Sequence, residues 1–370
     1  MAISLLEVEG YRSIRRLALR LEPITVLVGP NGCGKSNLYR SMFLLHAAAA
    51  GRLASTLAEE GGVPSVLWAG GRKKGPVRMR LGVQVDQLRY DLALGIVTPT
   101  IPPSQFALDP EVKEEQVAFG ESSKRSVLLD RGVASVSARD AEGRRVNYPM
   151  AVSPSESVLS QLREPHRFPQ LSALRQELLD WRFYHAFRTD PESPMRHPQI
   201  GVRTTVLSHD GRDLAAALQT IREIGSEPAL EEAVERAFPG SKLDIDVERA
   251  RFRVLLQMPE FHRPFEPQEL SDGTLRYLCL VAALLSPRLP SVMALNEPET
   301  SLHPDLLEPL ARLIVEASRE CQMWITTHSQ HLAAYIGEHS GIEAVQLEKV
   351  DGETRVVGQA LLDPYVERDG

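Results

Sequence analysis

The chain has 370 residues, of which 43% are hydrophobic and 25% charged, and its formal net charge is −7. These values are those of an ordinary globular protein, and the acidic balance argues against a protein that coats nucleic acid over its whole surface. No segment reaches the ~18 apolar residues of a membrane span, and the three separated cysteines lack the spacing of a zinc site. We therefore expect a cytoplasmic protein with reduced thiols and no membrane partner.

Three short strands are predicted at the start of the chain, from Ile3 to Glu9, Ile14 to Leu21 and Ile24 to Val28. A glycine-rich turn follows the third strand, and residues 37–50 have the composition of a helix that Gly51 ends. A turn between a buried strand and a helix N-terminus is typical of phosphate binding, because the helix presents N–H groups and a positive dipole end there.

That turn fits the pattern G-x-x-x-x-G-K-[ST] over its full length. We expect its backbone N–H groups to surround the phosphates of ATP, Lys35 to neutralise the β and γ phosphates, and Ser36 to bind Mg²⁺ through its hydroxyl. A chance glycine turn is the alternative, and the flanking strand and helix disfavour it. The candidate nucleotide-binding residues here are Gly29, Asn31, Gly32, Cys33, Gly34, Lys35, Ser36 and Asn37.

An antiparallel β region is predicted from Val77 to about Val146, because apolar and polar residues alternate there, and its first strands are Val77 to Val85 and Leu88 to Ile96. Helical patterns follow from Val158 to Leu179 and from Asp213 to Phe238, the second broken near residues 225–228. Neither pattern sustains the heptads of a coiled-coil arm. A hairpin that turns at residues 351–352 is predicted near the end of the chain.

A second acidic motif is predicted where the apolar strand Val292 to Leu295 runs into Asn296 and Glu297. Such a strand usually ends in two acids, the first near Mg²⁺ and the second a general base for the attacking water. Here Asn296 takes the first position, so it can accept from a metal-bound water but supplies no charge. Glu297 keeps the position of the base. Glu299 is offset from it by two residues and is therefore the less favoured candidate for the base.

Two further segments complete a family resemblance. Leu270 to Arg276 resembles the signature of ABC-type ATPases, and residues 325–329 resemble their switch-histidine strand. With the glycine turn and the Asn296 to Leu302 segment, which resembles the Walker B motif and D-loop, four motifs occur in the family's order. The chain thus resembles the standalone RecF-like ATPases, which are akin to SMC heads and to the ATPase part of OLD-family proteins.

The resemblance implies a fold, cofactors and partners. The fold is an α/β P-loop NTPase, an ABC-ATPase head without a coiled-coil arm, in which residues 1–50 and 286–370 form a nucleotide-binding core with a mixed sheet. Residues 75–150 form an antiparallel β subdomain and residues 155–285 a helical signature lobe. ATP and Mg²⁺ are the implied cofactors, and a head-to-tail homodimer sandwiches two ATP.

Several site residues follow from the resemblance alone. Ser271 and Gly273 would bind the γ-phosphate held by the opposite subunit, although Ser271 is equally typical of a plain helix N-cap. His328 would sense the γ-phosphate, and Arg12, in a Tyr-Arg-Ser step, would stack on the adenine. An exposed hairpin arginine is the alternative for Arg12. The Q-loop glutamine of the family has no clear counterpart, and residues 181–190 are the best-placed segment for it.

The expected function is ATP hydrolysis in DNA repair or phage defence. Arg249, Arg251 and Arg253 are predicted to share one face of a strand, and residues 72–74 add a basic loop, so DNA is an expected partner without sequence preference. Arginines that only keep a sheet edge soluble are the alternative. A separate nuclease or effector would do any cutting. The runner-up is a slow nucleotide switch that regulates a protein effector without binding DNA, and a transporter ATPase is disfavoured.

Overall fold

The computed structural model describes residues 2–71, 77–99, 101–102, 104–120, 127–133, 135–147, 152–162 and 164–358. The contacts divide the chain into two compact units. The first unit comprises residues 1–22, 29–181 and 345–370, and the second comprises residues 23–28 and 182–344.

Strands are spread through both units. In chain order those of the described residues are β1 (Ile3–Tyr11), β2 (Ile14–Arg20), β3 (Ile24–Val28), β4 (Arg78–Val85), β5 (Leu88–Ile96), β6 (Pro110–Phe119), β7 (Val127–Arg131), β8 (Val136–Arg139), β9 (Arg145–Asn147), β10 (Arg182–Tyr184), β11 (Gln199–Ile200), β12 (Lys242–Glu248), β13 (Arg251–Gln257), β14 (Val292–Asn296), β15 (Gln322–Thr327), β16 (Val345–Val350) and β17 (Glu353–Val356).

The helices of the described residues are mostly short. They are α1 (Lys35–Ala50), α2 (Leu53–Glu59), α3 (Val63–Val66), α4 (Val158–Gln161), α5 (Pro169–Asp180), α6 (Leu214–Ile224), α7 (Glu227–Ala237), α8 (Asp272–Leu284), α9 (Leu307–Ala317) and α10 (Gln330–Ser340). The longest, α1, has 16 residues, so no coiled-coil arm occurs in the described part of the chain. None of these helices is long and apolar enough to cross a membrane.

The first unit contains an antiparallel sheet of eight strands, in the order β2-β1-β4-β5-β6-β7-β8-β9. Met79, Leu81 and Val83 of β4 are buried, as the alternation predicts. Helix α1 packs against β1 and α5, and the buried alanines 47–49 allow a close approach because their side chains are small. The predicted strands β1 to β5 and the helix ended by Gly51 are confirmed.

One prediction in this unit is wrong, and one strand was missed. Strand β6 was not predicted, because Glu111, Glu114 and Glu115 interrupt its apolar pattern. The single helix predicted from Val158 to Leu179 is two helices, α4 and α5, and Pro169 occupies the first turn of α5. Proline favours a helix start and disrupts a helix interior, since it lacks an N–H donor.

A buried carboxylate joins β6 to the segment before α4. Glu115 has no exposed surface, and it accepts hydrogen bonds from Ser157 Oγ at 2.5 Å, Tyr90 OH at 3.1 Å and Val158 N at 2.9 Å. Arg131 forms an ion pair with it at 3.5 Å. The network holds the start of α4 on the sheet, because each of these buried groups depends on the others for a partner.

A parallel sheet lies at the centre of the second unit, where β10, β14, β15 and β3 pair in that order. The carboxyl ends of parallel strands share one edge, where α/β proteins bind ligands. This edge therefore brings together the residues that end or follow β10, β14 and β15. The turn of residues 29–36 follows β3 directly along the chain.

The rest of the second unit is helical, apart from a small antiparallel sheet in the order β11-β13-β12. The break predicted between α6 and α7 is confirmed. Residues 155–285, predicted as a helical lobe, also contain β10 to β13, and the predicted core boundaries differ from those of the two units. The reason is that β10 pairs with β14, whereas α1 packs with α5.

Candidate functional site

The glycine turn has the backbone that a phosphate-binding loop requires. Gly32 and Gly34 have φ values of 76° and 110°, in the region that favours glycine. Helix α1 begins at Lys35, and no side chain caps its N-terminus. Its first N–H groups and the dipole end are therefore suited to an anion.

Lys35 and Ser36 differ in their surroundings. Lys35 is 3% exposed, and its Nζ atom donates to the main-chain oxygens of Gly29 at 2.6 Å and Pro30 at 3.2 Å. Cys33 is buried, with its Sγ atom 3.8 Å from the same Nζ. Ser36 is exposed at the start of α1. The ammonium group is thus held against the turn itself, where a phosphate-binding lysine is needed.

Hydrogen bonds support the turn from distant parts of the first unit. Asn37 Nδ2 donates to Ser13 Oγ at 2.8 Å, and Ser13 Oγ lies 2.7 Å from Thr354 Oγ1 in β17. A Cβ atom on Gly34 would lie 2.1 Å from that threonine hydroxyl, and one on Gly29 would lie 2.4 Å from the oxygen of Leu347. The predicted C-terminal hairpin is confirmed as β16 and β17, and it requires glycine at both positions.

Arg12 lies at the turn between β1 and β2 and forms an ion pair. Its Nη2 atom is 2.8 Å from Glu60 Oε2, and Arg40 Nη1 is 2.8 Å from the other carboxylate oxygen. Tyr11 is fully buried and donates to Glu60 at 3.0 Å. Burial, with the Glu60 carboxylate, raises the pKa of Tyr11. The predicted stacking of Arg12 on adenine stays a prediction.

Asn296 ends β14 and is 1% exposed. Its Oδ1 atom accepts from Thr326 Oγ1 at 2.6 Å, and its Nδ2 atom donates to His185 Nδ1 at 2.7 Å. An amide nitrogen donates and cannot accept, so His185 Nδ1 is the acceptor and the proton of the neutral ring is on Nε2. The residue predicted as a magnesium ligand is therefore held by two neighbours at the carboxyl edge of the sheet.

Glu297 is held in an uncommon conformation. Its φ is 50°, a region that costs free energy for a residue with a side chain. Its N–H donates to Thr326 O at 2.8 Å, and its main-chain oxygen accepts from Arg276 at 3.2 Å. Its Oε1 atom lies 2.8 Å from Nε2 of His328. The structure thus brings the predicted base and the predicted switch histidine into direct contact.

Glu299 orders the segment that carries His328. One carboxylate oxygen accepts from Thr327 Oγ1 at 2.6 Å, His328 N at 2.8 Å and Ser329 N at 3.2 Å. A carboxylate at the start of a helix satisfies N–H groups that have no partner within the helix. Glu299 therefore fixes the backbone of His328 at the start of α10.

The signature segment begins α8 with Ser271 as its N-cap. Ser271 Oγ accepts from Thr274 N at 3.1 Å, which is the plain helix-cap geometry. A Cβ atom on Gly273 would lie 2.5 Å from the oxygen of Ser301. Ser301 has a φ of 64° and belongs to the D-loop-like segment. Glycine at position 273 thus lets that segment approach α8, and binding of a partner's nucleotide stays a prediction.

The predicted basic face of β13 is corrected by the structure. Arg249 lies in the turn before β13, with a φ of 55°, because the strand begins only at Arg251. Arg253 forms ion pairs with Asp246 at 2.6 Å and with Glu266 at 3.3 Å. The carboxylates of Asp246 in β12 and of Glu266 therefore neutralise part of this face. Residues 72–74 lie outside the described residues.

The amino-acid sequence matches a known family over residues 24–334, and that family is described as "AAA domain, putative AbiEii toxin, Type IV TA system". The chain belongs to this family of AAA domains. No curated protein matches the chain.

Solved structures with the same fold as this AAA domain include two SMC heads. The SmcHead bound to the C-winged helix domain of ScpA is 15% identical, with 98% of this chain and 99% of that chain covered and a TM-score of 0.54. The Pyrococcus furiosus Smc head with an extended coiled coil, bound to the C-terminal domain of ScpA, is 13% identical. The match covers 96% of this chain and 95% of that chain, with a TM-score of 0.52. The predicted P-loop ATPase fold of RecF and SMC type is confirmed.

The donors at the glycine turn of the AAA domain suit the phosphates of a nucleotide. The glycine turn and the uncapped start of α1 suit phosphates, whereas the described residues include no group of three or more His, Cys, Asp or Glu that could hold a metal. Mg²⁺ usually takes one or two protein ligands and completes its shell with phosphates and water. Ser36 and Asn296 are side chains of the kind needed.

Sequence reasoning missed three residues that contact these motifs. His185 follows β10, within the segment where a Q-loop was sought, and it contacts Asn296. Arg276 donates to the main-chain oxygens of Glu297 and His185, and burial lowers the pKa of its guanidinium. Thr354 lies against the turn. The available signal for Arg276 was that it is the only basic residue of α8.

Proposed function

We propose that this chain binds ATP with Mg²⁺ and hydrolyses it as a head-to-tail homodimer. Lys35 neutralises the phosphates, Ser36 and Asn296 hold the metal, and Glu297 is the general base. Ser271 and Gly273 act on the nucleotide of the opposite copy. The metal supplies charge neutralisation when it is bound.

One observation carries this proposal. Glu297 has a strained backbone, is held by Thr326 and Arg276, and contacts His328 through its carboxylate. Backbone strain that the surroundings enforce is enriched at functional sites, and at Glu297 it coincides with the carboxylate contact to His328. Because the glycine turn suits phosphate groups, we take the substrate of this base to be a nucleotide.

Steady-state ATP hydrolysis by the full chain tests the proposal. Phosphate release is measured for the wild type, Lys35→Ala and Glu297→Gln, and light scattering follows the dimer with and without ATP. We expect turnover that both substitutions abolish, and a dimer that Glu297→Gln accumulates in ATP. Wild-type turnover that survives in Lys35→Ala, or a monomer under every condition, contradicts the proposal.

The biological use of the ATPase has two candidates, both in the cytoplasm. A DNA repair or phage-defence role predicts turnover that rises with double-stranded DNA and falls with salt. A slow nucleotide switch acting on a protein effector predicts turnover that DNA does not change. The ion pairs of Arg253 with Asp246 and Glu266 favour the switch, because they reduce the positive charge offered to DNA.

A further inference from the structure

Arg196 is a buried arginine that has no role in the proposed hydrolysis of ATP. It ends the 3₁₀ turn Pro194–Arg196, and its side chain is 9% exposed. Burying a guanidinium without partners costs several kcal/mol, so its contacts show what it stabilises.

Nearly all of those contacts are to the segment just before α8, which we call the signature loop (residues 267–271), and to Asp272, the first residue of α8. Nη1 donates to the main-chain oxygens of Pro267 and Leu270 at 2.9 Å each, and Nη2 lies 2.6 Å from Asp272 Oδ1. Nε donates to Thr189 O at 2.7 Å. The planar guanidinium therefore fixes the path of the loop that ends at Ser271.

The contact with Asp272 has an electrostatic consequence. Asp272 is the first residue of α8, between Ser271 and Gly273. A carboxylate there interacts favourably with the positive end of the helix dipole, but it repels a phosphate that approaches the same N-terminus. The ion pair with Arg196 offsets this charge and holds the carboxylate to one side.

We propose that Arg196 is a positioning residue that holds the signature loop, and restrains the Asp272 carboxylate, so that Ser271 and Gly273 can receive a phosphate from a second copy of the chain. This inference rests on the proposed ATP-sandwiched homodimer. Arg196 touches no reacting atom. It acts through the backbone oxygens of Pro267 and Leu270 and through Asp272.

The test uses the full chain carrying Glu297→Gln, which should accumulate the ATP-bound dimer. Arg196→Ala, Arg196→Lys, Asp272→Asn and the double variant Arg196→Ala with Asp272→Asn are compared for two properties. These are the affinity of the monomer for a fluorescent ATP analogue and the concentration at which ATP gives half dimer. Arg188→Ala is the matched control, because Arg188 pairs with Asp190 on the surface of the same segment.

We expect analogue binding to change little, whereas Arg196→Ala raises the half-dimer concentration about tenfold to a hundredfold. Asp272→Asn in the Arg196→Ala background recovers part of this loss, because no unpaired carboxylate remains. A residue that only stabilises the fold would not show such rescue. If Arg196→Ala does not fold, Arg196→Lys, which keeps the charge and loses the planar fork, should still weaken the dimer.

The outcomes separate the two proposals. A parent that dimerises in ATP, with Arg196 variants that dimerise equally well, overturns the role of Arg196 alone. A loss in Arg196→Ala that Asp272→Asn does not reduce also overturns it. A parent that stays monomeric in ATP overturns the proposed dimer and this inference with it.

Discussion

Nε2 of His328 lies 2.8 Å from Oε1 of Glu297, and Glu299 holds the backbone N–H of the same histidine. Two carboxylates of one short segment thus position a single imidazole, one through its ring and the other through its backbone. Any change at Glu297 is therefore felt at His328.

We predict that Glu297→Gln lowers ATP turnover at least a hundredfold, while His328→Ala lowers it about tenfold to a hundredfold. Both variants keep their affinity for ATP, because the glycine turn is unchanged. Phosphate release and equilibrium binding measure the two effects. His331→Ala is the control, since His331 is an exposed residue of α10, and an equal loss there would contradict the prediction.

Asn296→Asp adds the charge that the usual motif carries. We expect the Mg²⁺ concentration for half-maximal turnover to fall about tenfold, because a carboxylate binds Mg²⁺ better than an amide does. His185 can donate to the new carboxylate by moving its proton to Nδ1. A magnesium titration of turnover checks this, with Asn296→Ala as the control that loses both neighbours. Turnover of Asn296→Asp below that of the wild type would show that the amide donor is required.

Substitutions at two glycines of the turn, Gly32 and Gly34, distinguish the effect of backbone strain from that of steric contact. Both Gly32→Ala and Gly34→Ala introduce a side chain at positive φ, at about 1–3 kcal/mol each. Only at Gly34 does the new Cβ meet Thr354, since nothing lies within 4 Å of a Cβ atom built on Gly32. We expect a lower melting temperature and weaker ATP binding for Gly34→Ala than for Gly32→Ala. Equal melting temperatures would mean that β17 moves aside.

Removing the buried carboxylate of β6 should destabilise the first unit. Glu115→Ala leaves Arg131 buried without its ion pair, and the hydroxyls of Tyr90 and Ser157 lose an acceptor. We expect a loss of about 3–5 kcal/mol in the free energy of unfolding, measured by urea denaturation. Glu114→Ala on the same strand, where the carboxylate is 47% exposed, should cost less than about 1 kcal/mol.

The sequence was sufficient where structure depends on neighbours along the chain. Strands β1 to β5, helix α1 and the break between α6 and α7 follow from local periodicity, glycine and proline. Strand β6 was missed because a buried Glu115 looks polar until its partners on other elements are known. The prediction of one continuous helix from Val158 was wrong because it gave the helical periodicity more weight than Pro169, which starts a new helix.

The candidate site divides in the same way. The turn, Glu297 and His328 could be proposed from motifs, since their spacing within each motif is local. The contacts of Arg196 with Asp272 and of His185 with Asn296 join residues 76 and 111 positions apart. The acidic partners of Arg253 likewise lie on a neighbouring strand and loop, so its apparent basic face could not be corrected from sequence.

The hydroxyls of Ser13 and Thr354 are 341 positions apart, yet they meet beside the glycine turn. During synthesis, residues 29–36 leave the ribosome long before β17 exists. Contacts over such separations form slowly, because the chain between them must first be ordered. We infer that the glycine turn gains this support only once translation has passed residue 356.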